Sequence, residues 1–197
     1  MIRTLLTLVT LVTFALPASA QQLSLNEVSK YLNGITSATG TFTQINSDGT
    51  ISTGEIAIKR PGKVRFDYNP PERSLVMATA GAVYILDRKL NARPDTYPLR
   101  KTPLSIILDR TVDLSRAGMV VGHGFDGTAT TVTAQDPDNP EYGTIQLKFT
   151  GAPVELRQWI ITDGNGSQTT VILGGLEKTN VPNSRFSIDA ELAKLKP

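Results

Sequence analysis

The chain has 197 residues, a formal net charge of +2, a single histidine and no cysteine. A balance this close to neutral, without a basic patch interleaved with aromatics, excludes nucleic acid as the expected partner. The missing thiols exclude a disulfide scaffold, cysteine-type zinc sites and an acyl anchor on an N-terminal cysteine, so a hydrophobic core must hold the fold.

The first twenty residues read as a secretory signal peptide. Met1-Ile2-Arg3 gives a basic start, Leu5 to Leu16 an apolar stretch about half the length of a spanning helix, and Pro17-Ala18-Ser19-Ala20 a small-residue cleavage site before Gln21. Residues 1–20 are therefore expected to be removed, leaving 21–197 as a single exported domain. Next comes the only long helical signal. Ser24-Leu25-Asn26-Glu27 matches a capping box, and Leu25, Val28, Leu32 and Ile35 make one apolar stripe that should end near Asn33-Gly34.

From there the period changes to two. Gly54, Ile56, Ile58, Arg60, Val64, Phe66 and Tyr68 share one parity around a Pro61-Gly62 corner, while Glu55, Lys59, Lys63, Arg65 and Asp67 share the other with Ala57. This is the pattern of two half-buried strands joined by a turn. A bare two-residue loop would place Lys63 opposite Arg60 and put charge on the apolar face. A loop of three or five residues keeps Ile56, Ile58, Val64 and Phe66 together. Arg60 alone breaks the apolar parity: its guanidinium either reaches past the rim to water or is held there by acceptors.

Further strands are expected at 41–45, 74–78, 83–86, 128–134, 144–150, 154–162 and 168–173, separated by turn formers such as Asn69-Pro70-Pro71, Asp136-Pro137 and Asp163-Gly164. One helical interruption is predicted at Leu104, Ile107 and Leu108, with Thr102 as its cap and Pro103 at its first position, followed by a short turn around 112–117. Short connections between many strands imply a mainly β, α+β chain: a strongly curved antiparallel sheet, curled into an open or partial barrel and covered on one face by the Ser24 helix and the central insertion.

Catalytic chemistry finds few residues to work with. His123 lies between Gly122 and Gly124, which reads as a loop or strand end, and no serine stands in a nucleophile elbow. One histidine without thiols is a poor start for zinc, and Asp136, Asp138, Asn139 and Glu141 read as a polar turn rather than a calcium loop. No enzyme, cofactor or metal is expected. The apolar face is either plain core or, because a curled sheet encloses more concave surface than two short helices fill, the wall of a ligand cavity.

Gly40-Thr41-Phe42-Thr43-Gln44, then Gly54 with Ile56 and Ile58, then Lys59-Arg60-Pro61-Gly62-Lys63-Val64-Arg65-Phe66-Asp67-Tyr68, Pro71 and Thr102-Pro103-Leu104 closely resemble the LolA family of periplasmic outer-membrane lipoprotein carriers. The likeness extends to Asp163-Gly164 and Arg185-Phe186. The resemblance implies an incomplete β-barrel, under a lid of short helices, that binds lipoprotein acyl chains through Phe42, Ile56, Ile58, Val64, Phe66, Leu104, Ile107 and Leu108. It implies that Arg60 bonds lid backbone in the closed, empty form. It also implies a monomeric carrier in the periplasm, loaded by an inner-membrane ABC-type lipoprotein-releasing complex and unloaded by an outer-membrane receptor. Two other readings stay open: a carrier of another amphiphile such as a glycolipid, and a lipoprotein-sensing regulatory module.

Overall fold

Ser24 opens α1 (Leu25–Gly34) with a complete capping box: the Glu27 N–H donates to Ser24 Oγ at 3.2 Å and the Ser24 N–H to Glu27 Oε2 at 2.8 Å. The computed structural model describes residues 21–90 and 92–195, so the expected signal peptide lies outside the described residues. Val28 and Leu32 turn the apolar stripe of α1 into the core.

The strands are β1 (Ser37–Ile45), β2 (Ile51–Lys59), β3 (Lys63–Tyr68), β4 (Ser74–Thr79), β5 (Ala82–Asp87), β6 (Asp95–Pro98), β7 (Val120–Phe125), β8 (Ala129–Gln135), β9 (Gly143–Thr150), β10 (Glu155–Asp163) and β11 (Gln168–Lys178). They form one sheet in the order β6-β5-β4-β3-β2-β1-β11-β10-β9-β8-β7, with antiparallel neighbours throughout. β6 and β7 stay unpaired to each other, so the sheet is open.

Its curl is measurable. Phe66 on β3 and Trp159 on β10 are four strand steps apart, about 19 Å in a flat sheet, yet their ring centroids lie 6.2 Å apart. The sheet therefore folds over until its two halves touch, giving the incomplete barrel expected from the strand pattern. Gly40 sits at a bulge in β1, where the β11 backbone comes close: a Cβ there would lie 2.1 Å from the Gly175 carbonyl oxygen.

The β2–β3 hairpin has the odd loop that the alternation requires. Lys59 pairs with Lys63, leaving Arg60-Pro61-Gly62 as a three-residue connection with Gly62 at φ +72°. Ile56 then faces Phe66 and Ile58 faces Val64.

Several expectations are corrected. β6 carries no apolar alternation and ends at Pro98, and the two glycines of β7 mask a strand, so both edges escape pattern reading. His123 lies within β7, opposite Val132, with Nε2 2.8 Å from the Leu23 carbonyl oxygen, where it holds the segment before α1 to the sheet. Thr102 does not cap α2 (Leu104–Leu108): its hydroxyl donates to Leu99 O at 2.8 Å and closes a 3-10 turn, while Pro103 takes the position before the helix.

The largest correction concerns the face outside the curl. The sequence reading left it to solvent, but Ala57, Leu75, Met77 and Leu86 are buried there under Val181, Phe186 and α3 (Ile188–Ala193). Arg65, from the charged parity, is buried as well. It pairs with Asp67 and, at 3.0 Å, with Glu191; Arg88 bridges the same two carboxylates at 3.0 and 2.8 Å. Burial pushes the Glu191 carboxyl up, but hydrogen bonds from Lys194, Arg88 and Arg65 outweigh it and hold the group down at about 2.

A lowered carboxylate contributes stability that is present above its unfolded value, about 4.3, and lost as pH falls through its folded one. Glu191→Gln is therefore expected to destabilise the fold by about 2 kcal/mol at pH 7. Urea unfolding checks this, and the difference from the unsubstituted protein should shrink as pH falls from about 5 towards 2.

Candidate functional site

The curl leaves a cavity of about 500 Å³ between the halves of the sheet and α2, within the range of small-ligand sites. Phe66, Val76, Val83 and Ile85 line it from one half, Trp159, Ile161 and Val171 from the other, and Leu104 closes it from α2. Lys101, Glu141 and Asp163 are exposed at its rim. A larger groove, about 840 Å³, runs along the other side of α2; Arg100, Asp109, Arg110, Asp113 and Arg116 line it beside Leu99, Ile106, Leu108, Val112 and Met119, making it a mixed surface cleft.

Inside the cavity the polar side chains are few. Tyr68 donates to Gln44 Oε1 at 2.6 Å, and Gln44 Nε2 donates to Asn46 Oδ1 at 2.6 Å. Burial pushes the Tyr68 phenol up to about 12, so it stays neutral. The chemistry available is apolar contact and hydrogen bonding.

Arg60 belongs to the cover. Its Nη1 donates to Leu32 O of α1, and its Nη2 to Asn33 Oδ1 at 3.1 Å. Nε and Nη2 donate to Asp109 O, just past α2, at 2.9 and 2.6 Å, and Nη2 also meets Arg110 O at 3.4 Å. Leu32 O, in the last turn of α1, also accepts the Ile35 N–H at 3.1 Å, and Asp109 is the C-cap of α2; carbonyls at helix C-terminal ends carry partial negative charge that favours a cation. Burial pulls the guanidinium pKa down while the Asp109 charge opposes it, and arginine remains cationic throughout. The hairpin loop itself helps: the Arg60 N–H donates to Thr36 O and the Gly62 N–H to Leu108 O, each at 2.8 Å. The two cover pieces are also tied together. Asn33 Nδ2 donates to Val112 O at 2.8 Å, Asn33 Oδ1 accepts the Val112 N–H at 2.9 Å, and Ser29 Oγ accepts the Leu114 N–H at 3.1 Å.

Of the apolar residues named from the sequence, Phe66 and Leu104 line the 500 Å³ cavity. Phe42 packs edge-on behind it, its ring 5.2 Å from Phe66 and 5.1 Å from Tyr68. Ile56, Ile58, Val64, Ile107 and Leu108 are buried in the continuous core, and Leu108 also touches the outer groove. Sequence reasoning missed Val76, Val83, Ile85, Trp159, Ile161 and Val171. Period two placed them on strands, but which strands meet across the curl depends on the sheet order, which no local pattern encodes.

A family model described as outer membrane lipoprotein carrier protein LolA matches residues 33–189. The chain belongs to the LolA family. Curated relatives include the outer-membrane lipoprotein carrier proteins of Azotobacter vinelandii, 25% identical over 186 residues (86% of each chain), and Chromohalobacter salexigens, 26% identical over 190 residues (90% of this chain, 89% of the relative). A solved LolA superfamily protein from Nitrosomonas europaea aligns with 85% of this chain and 99% of its own at 8% identity, with a TM-score of 0.45.

If Arg60 fastens the cover, removing it should loosen α1 and α2 without unfolding the sheet. Arg60→Ala is expected to lower the free energy of local opening at Leu32 and at Ile106 to Leu108 by about 2 kcal/mol. Hydrogen exchange would read this as faster exchange there and unchanged protection in β9 and β10.

Proposed function

We propose that this chain is a periplasmic carrier that shields lipoprotein acyl chains in the cavity while they cross from the inner to the outer membrane. The observation that carries the reading is an apolar cavity closed by α2, whose end one side chain, Arg60, fastens to the end of α1. Each buried methylene is worth about 0.8 kcal/mol, so one chain of about fifteen carbons resists water by roughly 10 kcal/mol. Cargo of this kind cannot cross an aqueous space without cover.

The carrier must also release what it holds, and the closed cover supplies the means. Lipid entry displaces the cover, so the Arg60 bonds oppose binding by their own free energy, about 2 kcal/mol for charge-assisted contacts. In this reading the chain takes cargo from an inner-membrane ABC-type lipoprotein-releasing complex and passes it to an outer-membrane receptor. It works as a monomer, without cofactor and without a chemical step. Residues 1–20 act as its export signal, and Phe42, Ile56, Ile58, Val64, Ile107 and Leu108 become lipid contacts when the cover lifts and the cavity deepens.

Mass spectrometry of protein taken directly from the periplasm tests the cargo: acylated lipoprotein bound at one carrier per cargo is expected, and a glycolipid in its place would overturn the assignment. Arg60→Leu is expected to load lipoprotein normally and hand it on at least tenfold more slowly in a reconstituted transfer assay. The factor follows from losing about 2 kcal/mol of competition from the closed state.

A further inference from the structure

Directly paired residues of an antiparallel sheet share a face, so the inner wall of the curl can be followed from the core to its edge. One row runs Ile58, Val64, Ala78, Val83, Tyr97 across β2 to β6, and its neighbour runs Ile56, Phe66, Val76, Ile85, Asp95. Both rows start buried and end in the open. Val83 is 7% exposed and Tyr97, one strand further out, 50%; Ile85 lines the cavity and is still 41% exposed. Ile85 pairs with Asp95, two residues before Tyr97, which makes Ile85 and Tyr97 diagonal neighbours at a spacing an aromatic ring can span. An apolar strip therefore leads from the cavity to the β6 edge.

The other edge of the sheet is built differently. Trp159, Leu147, Val132 and His123 form the matching row towards β7, and His123 Nε2 lies 2.8 Å from Leu23 O. Thr130 Oγ1 accepts the Leu23 N–H, also at 2.8 Å, and Leu23 is itself buried, so the segment before α1 seals this side. Elsewhere the cavity rim carries Lys101, Glu141 and Asp163, whose hydration a passing hydrocarbon would disturb. Isolated apolar side chains on a surface need no explanation. Ile51, Leu90, Val121 and Ile172 are of that kind: they are exposed, but none of them lines the cavity. Ile85 and Tyr97 differ because they extend its wall. A tyrosine also suits a wet boundary, since its ring meets hydrocarbon while its hydroxyl stays in water.

We propose that Ile85 and Tyr97 form a threshold at the β6 edge, where a hydrocarbon chain is held before it passes between the halves of the sheet and over which it leaves. The occupant is an acyl chain of the cargo, because the strip continues the cavity wall and its one charge, Asp95, stands at the outer end. The inference rests on the lipid-carrier reading of this cavity. Partial cover at the edge lowers the barrier to entry and exit alike and leaves affinity to the walls inside.

Trp159, the only tryptophan in the chain, lines the cavity and reports arrival. The full-length mature protein is mixed with 11-bromoundecanol, an uncharged single chain whose bromine quenches tryptophan at close range, and rates of quenching on mixing and of recovery on dilution are measured. Tyr97→Thr keeps a β-branched strand former at a half-exposed position. It is expected to slow uptake and release about fivefold each, with affinity within about twofold of the unsubstituted protein. Asp95→Leu lengthens the strip and is expected to speed both rates about threefold, a result that stands whether or not Tyr97→Thr folds. Affinity changing in Tyr97→Thr without a matched change in both rates makes Tyr97 one more wall residue and overturns the threshold. Unchanged rates in either variant, the result if the strip instead meets a partner protein or a second copy of this chain, also overturn it and leave the carrier reading standing. Absence of quenching in the unsubstituted protein overturns the cavity reading itself.

Discussion

A single guanidinium closes this molecule. Arg60 stands at the tip of the β2–β3 hairpin, where the C-terminal end of α1 and the segment after α2 converge, and its donors reach carbonyls on both. Carbonyls at helix C-terminal ends carry partial negative charge, which favours a cation over a neutral donor. One planar cation with five N–H groups suits several such acceptors at once, which a lysine ammonium on a flexible stem would not. Asn33 couples the two pieces further by exchanging a pair of hydrogen bonds with Val112, much as a strand partner would. The two pieces are therefore tied to each other as well as to Arg60.

In the proposed carrier, that arrangement decides what happens energetically when an apolar ligand arrives. Chain burial is worth far more than the fastening bonds, so the ligand wins the contest for the cavity. The fastening is still large on the scale of an exchange equilibrium, where 1.4 kcal/mol is a factor of ten. A carrier without it would bind too well to be emptied. In that reading, affinity is lowered by stabilising the empty form, and the apolar walls are left intact.

The sequence made local features legible and left the meeting of distant ones hidden. Alternation from Gly54 to Tyr68 predicts the hairpin, its three-residue loop and the odd position of Arg60, because register follows from parity and from where charge is tolerated. Ser24 and Glu27 likewise declare their helix start. Trp159 and Val83 give no comparable sign: their place on one cavity follows from strand order and curl. The buried Arg65 is hardest of all. Its parity marks it as solvent-facing, and only the return of the last residues over that face converts an exposed charge into an internal one.

This return gives the two faces of the sheet different covers. Outside the curl, α3 and the segment before it are locked by apolar contacts and by the ion cluster of Arg65, Asp67, Arg88 and Glu191. Breaking a buried pair leaves an unpartnered charge, so this face resists bending of β3 to β5. Inside the curl, α1 and α2 are packed into the core through Val28, Leu32, Leu104, Ile107 and Leu108 and fastened at one edge by Arg60, and the aromatic rings of Phe42, Phe66, Tyr68 and Trp159 meet edge to face. In the proposed carrier, room for a ligand comes from lifting α1 and α2 rather than from opening the sheet. Arg60 sits at the boundary between the rigid part and the movable one, which is why one misplaced charge on an apolar strand can govern the whole cavity.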